Sequence, residues 1–122
     1  MSYLDMVTFD GPNGTVAISP DAATVVWKRG EASEVRLITG VLVPLNIDAG
    51  DVAKALWGFR SETDDGFFND AHVIAIVPNG GGSRFILEGN MHLDNPMPVN
   101  QTIMSQRNLQ AVRAKIRAEE QE

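Results

Sequence analysis

The sequence predicts an α+β fold: mainly antiparallel β-hairpins forming one sheet or a small barrel, with a mid-chain helix and an amphipathic carboxy-terminal helix. Three observations carry this reading. Short β-favouring runs recur between Gly-, Pro- and Asn-rich turns along most of the chain. Apolar spacing changes to threes and fours around Val52 and again beyond Asn100. The 122 residues, 43% of them hydrophobic, suffice for one self-sufficient core and not for two, so a single domain 1–122 is expected.

The elements follow in order. Val7 to Phe9 and Thr15 to Ile18 flank Asp10-Gly11-Pro12-Asn13-Gly14, whose residues are turn formers, so they form a first hairpin. After the Ser19-Pro20-Asp21 turn, Thr24 to Lys28 and Val35 to Ile38 make a second hairpin across the polar connector Arg29 to Ser33, closed by Gly40. Val41 to Ile47 continues as a strand, which Pro44 confines to an edge or a bulge because it has no N–H to donate. Asp48 or Asp51 caps a helix with the buried stripe Val52, Ala55, Leu56 and Phe59, ending between Gly58 and Arg60. The carboxylate-rich run Ser61 to Gly66 reads as an exposed connector. Phe67 to Val77, the turn Asn79-Gly80-Gly81-Gly82 and Arg84 to Leu87 form a further β section. From Asn100, Ile103, Leu109, Val112 and Ile116 share one helical face, with Gln106, Gln110, Arg113 and Arg117 on a neighbouring polar face.

An offset of 49 residues pairs Asp21-Ala22 with Asp70-Ala71, Val25 with Ile74, Leu37-Ile38 with Ile86-Leu87 and Gly40 with Gly89. A further five-residue insertion within Asn90 to Asp94 then aligns Pro44-Leu45-Asn46 with Pro98-Val99-Asn100. The pattern reads as two hairpin-plus-helix units, 17–60 and 66–118, sharing one core; chance likeness between apolar hairpins accounts for the same few identities.

Charge and composition bound the function. A net charge of −6 opposes long nucleic acids, whose binding draws on many Lys and Arg side chains releasing counterions. The longest apolar stretches, such as Val41 to Leu45, fall far short of the roughly 20 residues a spanning helix needs, so no membrane partner is expected. No secretory leader is visible at Met1-Ser2-Tyr3-Leu4-Asp5 and cysteine is absent, which points to the cytoplasm.

Enzymatic chemistry finds little support. His72, His92 and Asp94 are of metal-ligating types, but the spacing of His92 and Asp94 in a loop fits solvated polar side chains better. Asp64, Asp65 and Asp70 cluster in the most polar segment, where solvation keeps carboxylates from the tuning that acid–base catalysis needs. Ser33, Ser83 and Ser105 lie outside any nucleophile elbow, and neither glycine-rich turn opens a helix after a strand, as a phosphate loop would. What remains is aromatics beside cations: Trp57, Phe59 and Arg60, Phe67-Phe68, Arg84-Phe85, and the carboxy-terminal arginines. Aromatic faces stack on bases and guanidinium forks grip phosphates, so these residues suit a nucleotide; core packing and ordinary surface charge also explain them.

At Arg60, Phe85, Asn95 and Arg113 the chain resembles the phage anti-Thoeris sponge proteins of the first described type, oligomers that sequester cyclic ADP-ribose isomers made by bacterial TIR-domain defence enzymes. The likeness spans the chain in outline and rests on those four positions, with Arg107 an alternative to Arg113. It implies a non-enzymatic, cofactor-free homo-oligomer, a dimer or trimer of dimers, acting in an infected host's cytoplasm. Phe85 would stack on adenine, Asn95 would hydrogen-bond ribose or base, and Arg113 or Arg107 would neutralise the pyrophosphate. Arg60 would serve a second site for cyclic oligonucleotides. The first half is also similar to small β domains resembling the flagellar regulator FlbD, which are interaction modules, and a phage structural or head-tail accessory protein fits the size and acidity.

Overall fold

Turn chemistry sets the hairpins of the computed structural model, which describes residues 5–58, 61–63 and 65–120, the side chains of residues 113, 116, 117 and 120 apart. β1 (Val7–Gly11) and β2 (Gly14–Ile18) close across Gly11 and Gly14, the latter at φ 124°. β3 (Ala23–Arg29), β4 (Ala32–Leu37) and β5 (Leu42–Leu45) form an antiparallel meander leading to α1 (Ala49–Trp57). Asp48 caps α1 by accepting a hydrogen bond from the Gly50 amide, and Gly58 ends it in the left-handed conformation at φ 74°. A short hairpin follows, β6 (Ser61–Thr63) with β7 (Gly66–Phe68), then a 3-10 turn at Asp70–His72. A second meander, β8 (Val73–Asn79), β9 (Gly82–Leu87) and β10 (Met91–Asn95), leads to α2 (Val99–Glu120).

The class is the α+β arrangement of antiparallel hairpins that the sequence predicts, but the strands sort into three sheets rather than one sheet or a barrel. β1-β2 is two-stranded, β5-β4-β3-β7-β6 five-stranded and β10-β9-β8 three-stranded. Pro44 sits on β5, an edge of the central sheet, opposite Glu34. The central sheet is buried on both faces, because successive strand residues point to opposite sides. Val26, Val35 and Phe67 join α1 (Val52, Ala53, Leu56) and the β1–β2 hairpin in one core. Val25 and Phe68 join Phe85, Leu87 and Leu93 of the three-stranded sheet in the other.

The two meanders match at an offset of 50 residues, without the insertion that an offset of 49 requires. The Ala22 amide donates to the Ser19 carbonyl at 3.1 Å, and the His72 amide to Asn69 at 3.0 Å; Ile38 donates to Ala22 at 2.8 Å, and Glu88 to His72 at 2.9 Å. Irregularities fall at Ala23/Val25 and Val73/Ala75, Gly30 and Gly80 turn at φ 64° and 59°, and the helices begin at Ala49 and Val99. β2 and β7 stand in the same relation, each preceding the equivalent turn.

Several local expectations are corrected. Ser61 to Gly66 is not wholly an exposed connector: Ser61 and Thr63 point inward on β6, at 1% and 9% exposure. Phe67 to Val77 is two strands separated by the 3-10 turn. His92 and Asp94 lie on strand β10, not in a loop. In α1 the inner stripe is Val52, Ala53 and Leu56, with Ala55 exposed and Phe59 outside the described residues. No described helix is long and apolar enough to cross a membrane.

Candidate functional site

The positions singled out in the sequence are dispersed. Phe85 lies on β9 opposite Leu93 and Ile76, is 1% exposed, and packs its ring on Phe68 with centroids 4.7 Å apart and planes tilted 40°. Its ring packs within the core, whereas the adenine-stacking role that the resemblance implies calls for an open face. Alternation explains why: Ser83, Phe85 and Leu87 face inward while Arg84 and Ile86 face outward, so Arg84 and Phe85 cannot grip one ligand together. Arg84 instead pairs with Asp94, directly across the ladder, Nε to Oδ1 at 2.7 Å. The hydrogen bond from Arg84 holds the Asp94 carboxyl below its usual range, and the same bond raises the Arg84 pKa.

Asn95 ends β10, and its Oδ1 accepts from the Met97 amide at 3.1 Å, turning the chain into α2. It lines a cavity of about 360 Å³ with Lys28, Glu62, Thr63 and Pro96. Neither Phe85 nor Arg107 borders that cavity. Arg60 lies outside the described residues, and Arg113 is placed on α2 with its side chain outside them. Among the described residues no group of three His, Asp or Glu stands where it could hold a metal ion. His72 is committed elsewhere, its Nε2 2.6 Å from the Asp21 carbonyl.

Cations on the β body are mostly occupied. Lys28 bonds Glu62 at 2.7 Å and lies 5.1 Å over the Phe67 ring; Arg29 reaches Glu34 at 3.2 Å; Arg36 donates to the Gly89 carbonyl at 3.0 Å. α2 differs. From Val99 to Ala118 it carries Arg107, Arg113, Lys115 and Arg117 and no acidic residue. Among its described side chains, those that are buried or half-buried lie at its start. Thr102 is buried, its hydroxyl 2.9 Å from that of Ser83, and both hydroxyls donate to the Met97 carbonyl, at 3.1 and 2.7 Å. Ile103, Ser105 and Gln106 are half-buried, whereas every described side chain from Arg107 onward is exposed. Leu109 and Val112, expected on the apolar face of an amphipathic helix, are 38% and 56% exposed. At 1.5 Å per residue, the part of α2 from Arg107 to Glu120 is about 21 Å long.

No known family matches the chain, and no curated protein matches it. Among solved structures, a LytTr DNA-binding domain from Bacillus cereus is similar at a TM-score of 0.58 and 11% identity, over 74% of this chain and 84% of that one. That likeness shows the fold. It also overturns the expectation, drawn from net charge, that a long nucleic acid is not a partner, since this architecture occurs in a protein described as binding DNA. The net charge of −6 is unevenly placed: Arg107, Arg113, Lys115 and Arg117 lie on one helix without acids before Glu119, a clustering the sequence shows and which reads there as a site for one small anion.

Proposed function

We propose that the chain is a non-catalytic binding module that engages duplex DNA along α2. The observation that carries this is the acid-free stretch of α2 on which Arg107, Arg113, Lys115 and Arg117 lie, exposed wherever its side chains are described from Arg107 on. A helix about 10–12 Å across matches the roughly 12 Å major groove, and guanidinium groups bind phosphate oxygens bidentately. The neighbour's description as a DNA-binding domain supports the same reading. Each neutralised phosphate contributes about −0.9 to the slope of log affinity against log salt, so four contacts give a slope near −3.6. Fluorescence anisotropy with a labelled duplex from about 50 to about 200 mM salt measures it. Replacing all four cations by alanine removes binding if the reading is right. A wild-type chain that ignores the duplex at the lowest salt ends it.

A second reading, sequestration of a small cyclic nucleotide without cleavage, is favoured by the cavity that Asn95 shares with Lys28 and Thr63. The resemblance to anti-Thoeris sponges motivates it, although Phe85 is not available to stack. A cyclic ADP-ribose isomer at 100 times its dissociation constant would raise stability by about 2.7 kcal/mol. Thermal denaturation reads this out, and an unchanged midpoint rejects the reading.

A further inference from the structure

We infer that copies of this chain associate head to tail, by pairing the free edge of β8 in one copy with the free edge of β2 in the next. The inference starts from a junction already inside the molecule. β7 pairs antiparallel with β3, matching Phe68 to Val25, Phe67 to Val26 and Gly66 to Trp27. The bonds from the Asn69 amide to the Thr24 carbonyl and from the Lys28 amide to the Asp65 carbonyl, both 2.9 Å, extend that ladder.

At the offset of 50, the counterpart of β3 is β8 and the counterpart of β7 is β2. Both counterparts are left with one open edge: β8 pairs only with β9, and β2 only with β1, among the described residues. Repeating the internal junction between two copies sets Ala75 opposite Ile18 of the second copy, Ile76 opposite Ala17 and Val77 opposite Val16. Pro78 occupies the place of Lys28 and has no N–H, so the ladder ends one bond sooner.

The two edges suit each other in chemistry as well as in position. Along β2 runs an apolar groove of about 600 Å³ whose walls include Val16, Ala17, Ile18, Leu37 and Val43. Along β8, Ile74 is 64% and Val77 36% exposed. Open edges in folded proteins are commonly guarded by charged side chains, yet neither β2 nor β8 carries one. The contact joins two different surfaces, so each added copy presents a fresh β8 edge to the next.

Two charge insertions test this. Ala17→Lys blocks the β2 edge and Val77→Lys the β8 edge; both positions are exposed, and far-UV circular dichroism checks that the variants fold. Light scattering should show the wild-type mass rising with concentration and each variant alone monomeric. An equimolar mixture should give a species of twice the monomer mass and no larger, since one variant keeps a working β8 edge and the other a working β2 edge. A wild-type chain that stays monomeric overturns the inference, as do variants that assemble like the wild type or a mixture that stays monomeric.

Discussion

α1 and α2 begin at equivalent places, after equivalent meanders, and then diverge. α1 buries Val52 and Leu56 against the central sheet; the same positions of α2 are Thr102 and Gln106. Ser33 lies buried near α1 with no partner for its hydroxyl, whereas its counterpart Ser83 shares a hydroxyl network with Thr102 and Met97. Gly58 stops α1 in the left-handed conformation, while Asn108, at the matching position, continues the helix. An apolar inner face holds α1 down along its length. A polar one fastens α2 at its root, and every described side chain beyond Gln106 is exposed.

The comparison can be broken or sharpened by substitution. The largest effect falls on the core beneath the second meander: Phe85→Ala should cost about 3–5 kcal/mol in chemical denaturation, as a buried aromatic does, rather than leave stability unchanged as an exposed ligand-stacking ring would. Next, Ser83→Ala should cost about 1 kcal/mol by removing its hydrogen bond to the Met97 carbonyl, while Ser33→Ala should be neutral or slightly stabilising, since that hydroxyl is already unpaired. Equal costs would mean that the two meanders are fastened alike. Asn108→Gly should destabilise the outer part of α2 by a few tenths of a kcal/mol, seen as lost helical circular dichroism with the denaturation midpoint hardly moved.

The smallest effect is electrostatic, at the Arg84–Asp94 pair, whose counterparts Glu34 and Pro44 form no such pair. Asp94 has a lowered folded-state pKa, so its contribution is present above the unfolded value near 3.9 and is lost as pH falls through the folded one. Asp94→Asn should therefore remove part of the acid dependence of stability below about pH 4 and change little at neutrality. Both groups are solvent-exposed, so screening keeps the effect small.

What was legible in the sequence followed local rules. Asp10 to Gly14 and Asn79 to Gly82 are turns because their residues favour them, and Asp48 is a cap because its carboxylate reaches a free amide. Strand β10 was also legible in principle, since Met91 and Leu93 alternate with His92 and Asp94, but an offset of 49 places an insertion in this segment. β6 was not, since its inward residues Ser61 and Thr63 are polar and leave no apolar alternation to read. The candidate site fared worst. Arg84-Phe85 looked like a nucleotide grip because adjacency in sequence was taken for adjacency in space, which a strand forbids. The exposure of Leu109 and Val112 on α2 depends on tertiary packing, which periodicity alone does not report.

The adjacent pair Phe67-Phe68 has a consequence for how the molecule comes apart. β7 belongs to the second half by sequence, yet it is woven into the sheet of the first, and its two rings enter different cores. Neither half can melt while the other persists without stripping one phenyl ring from its surroundings. Calorimetry should accordingly record a single endotherm, with the van't Hoff and calorimetric enthalpies equal, the signature of a clasped rather than a beaded chain.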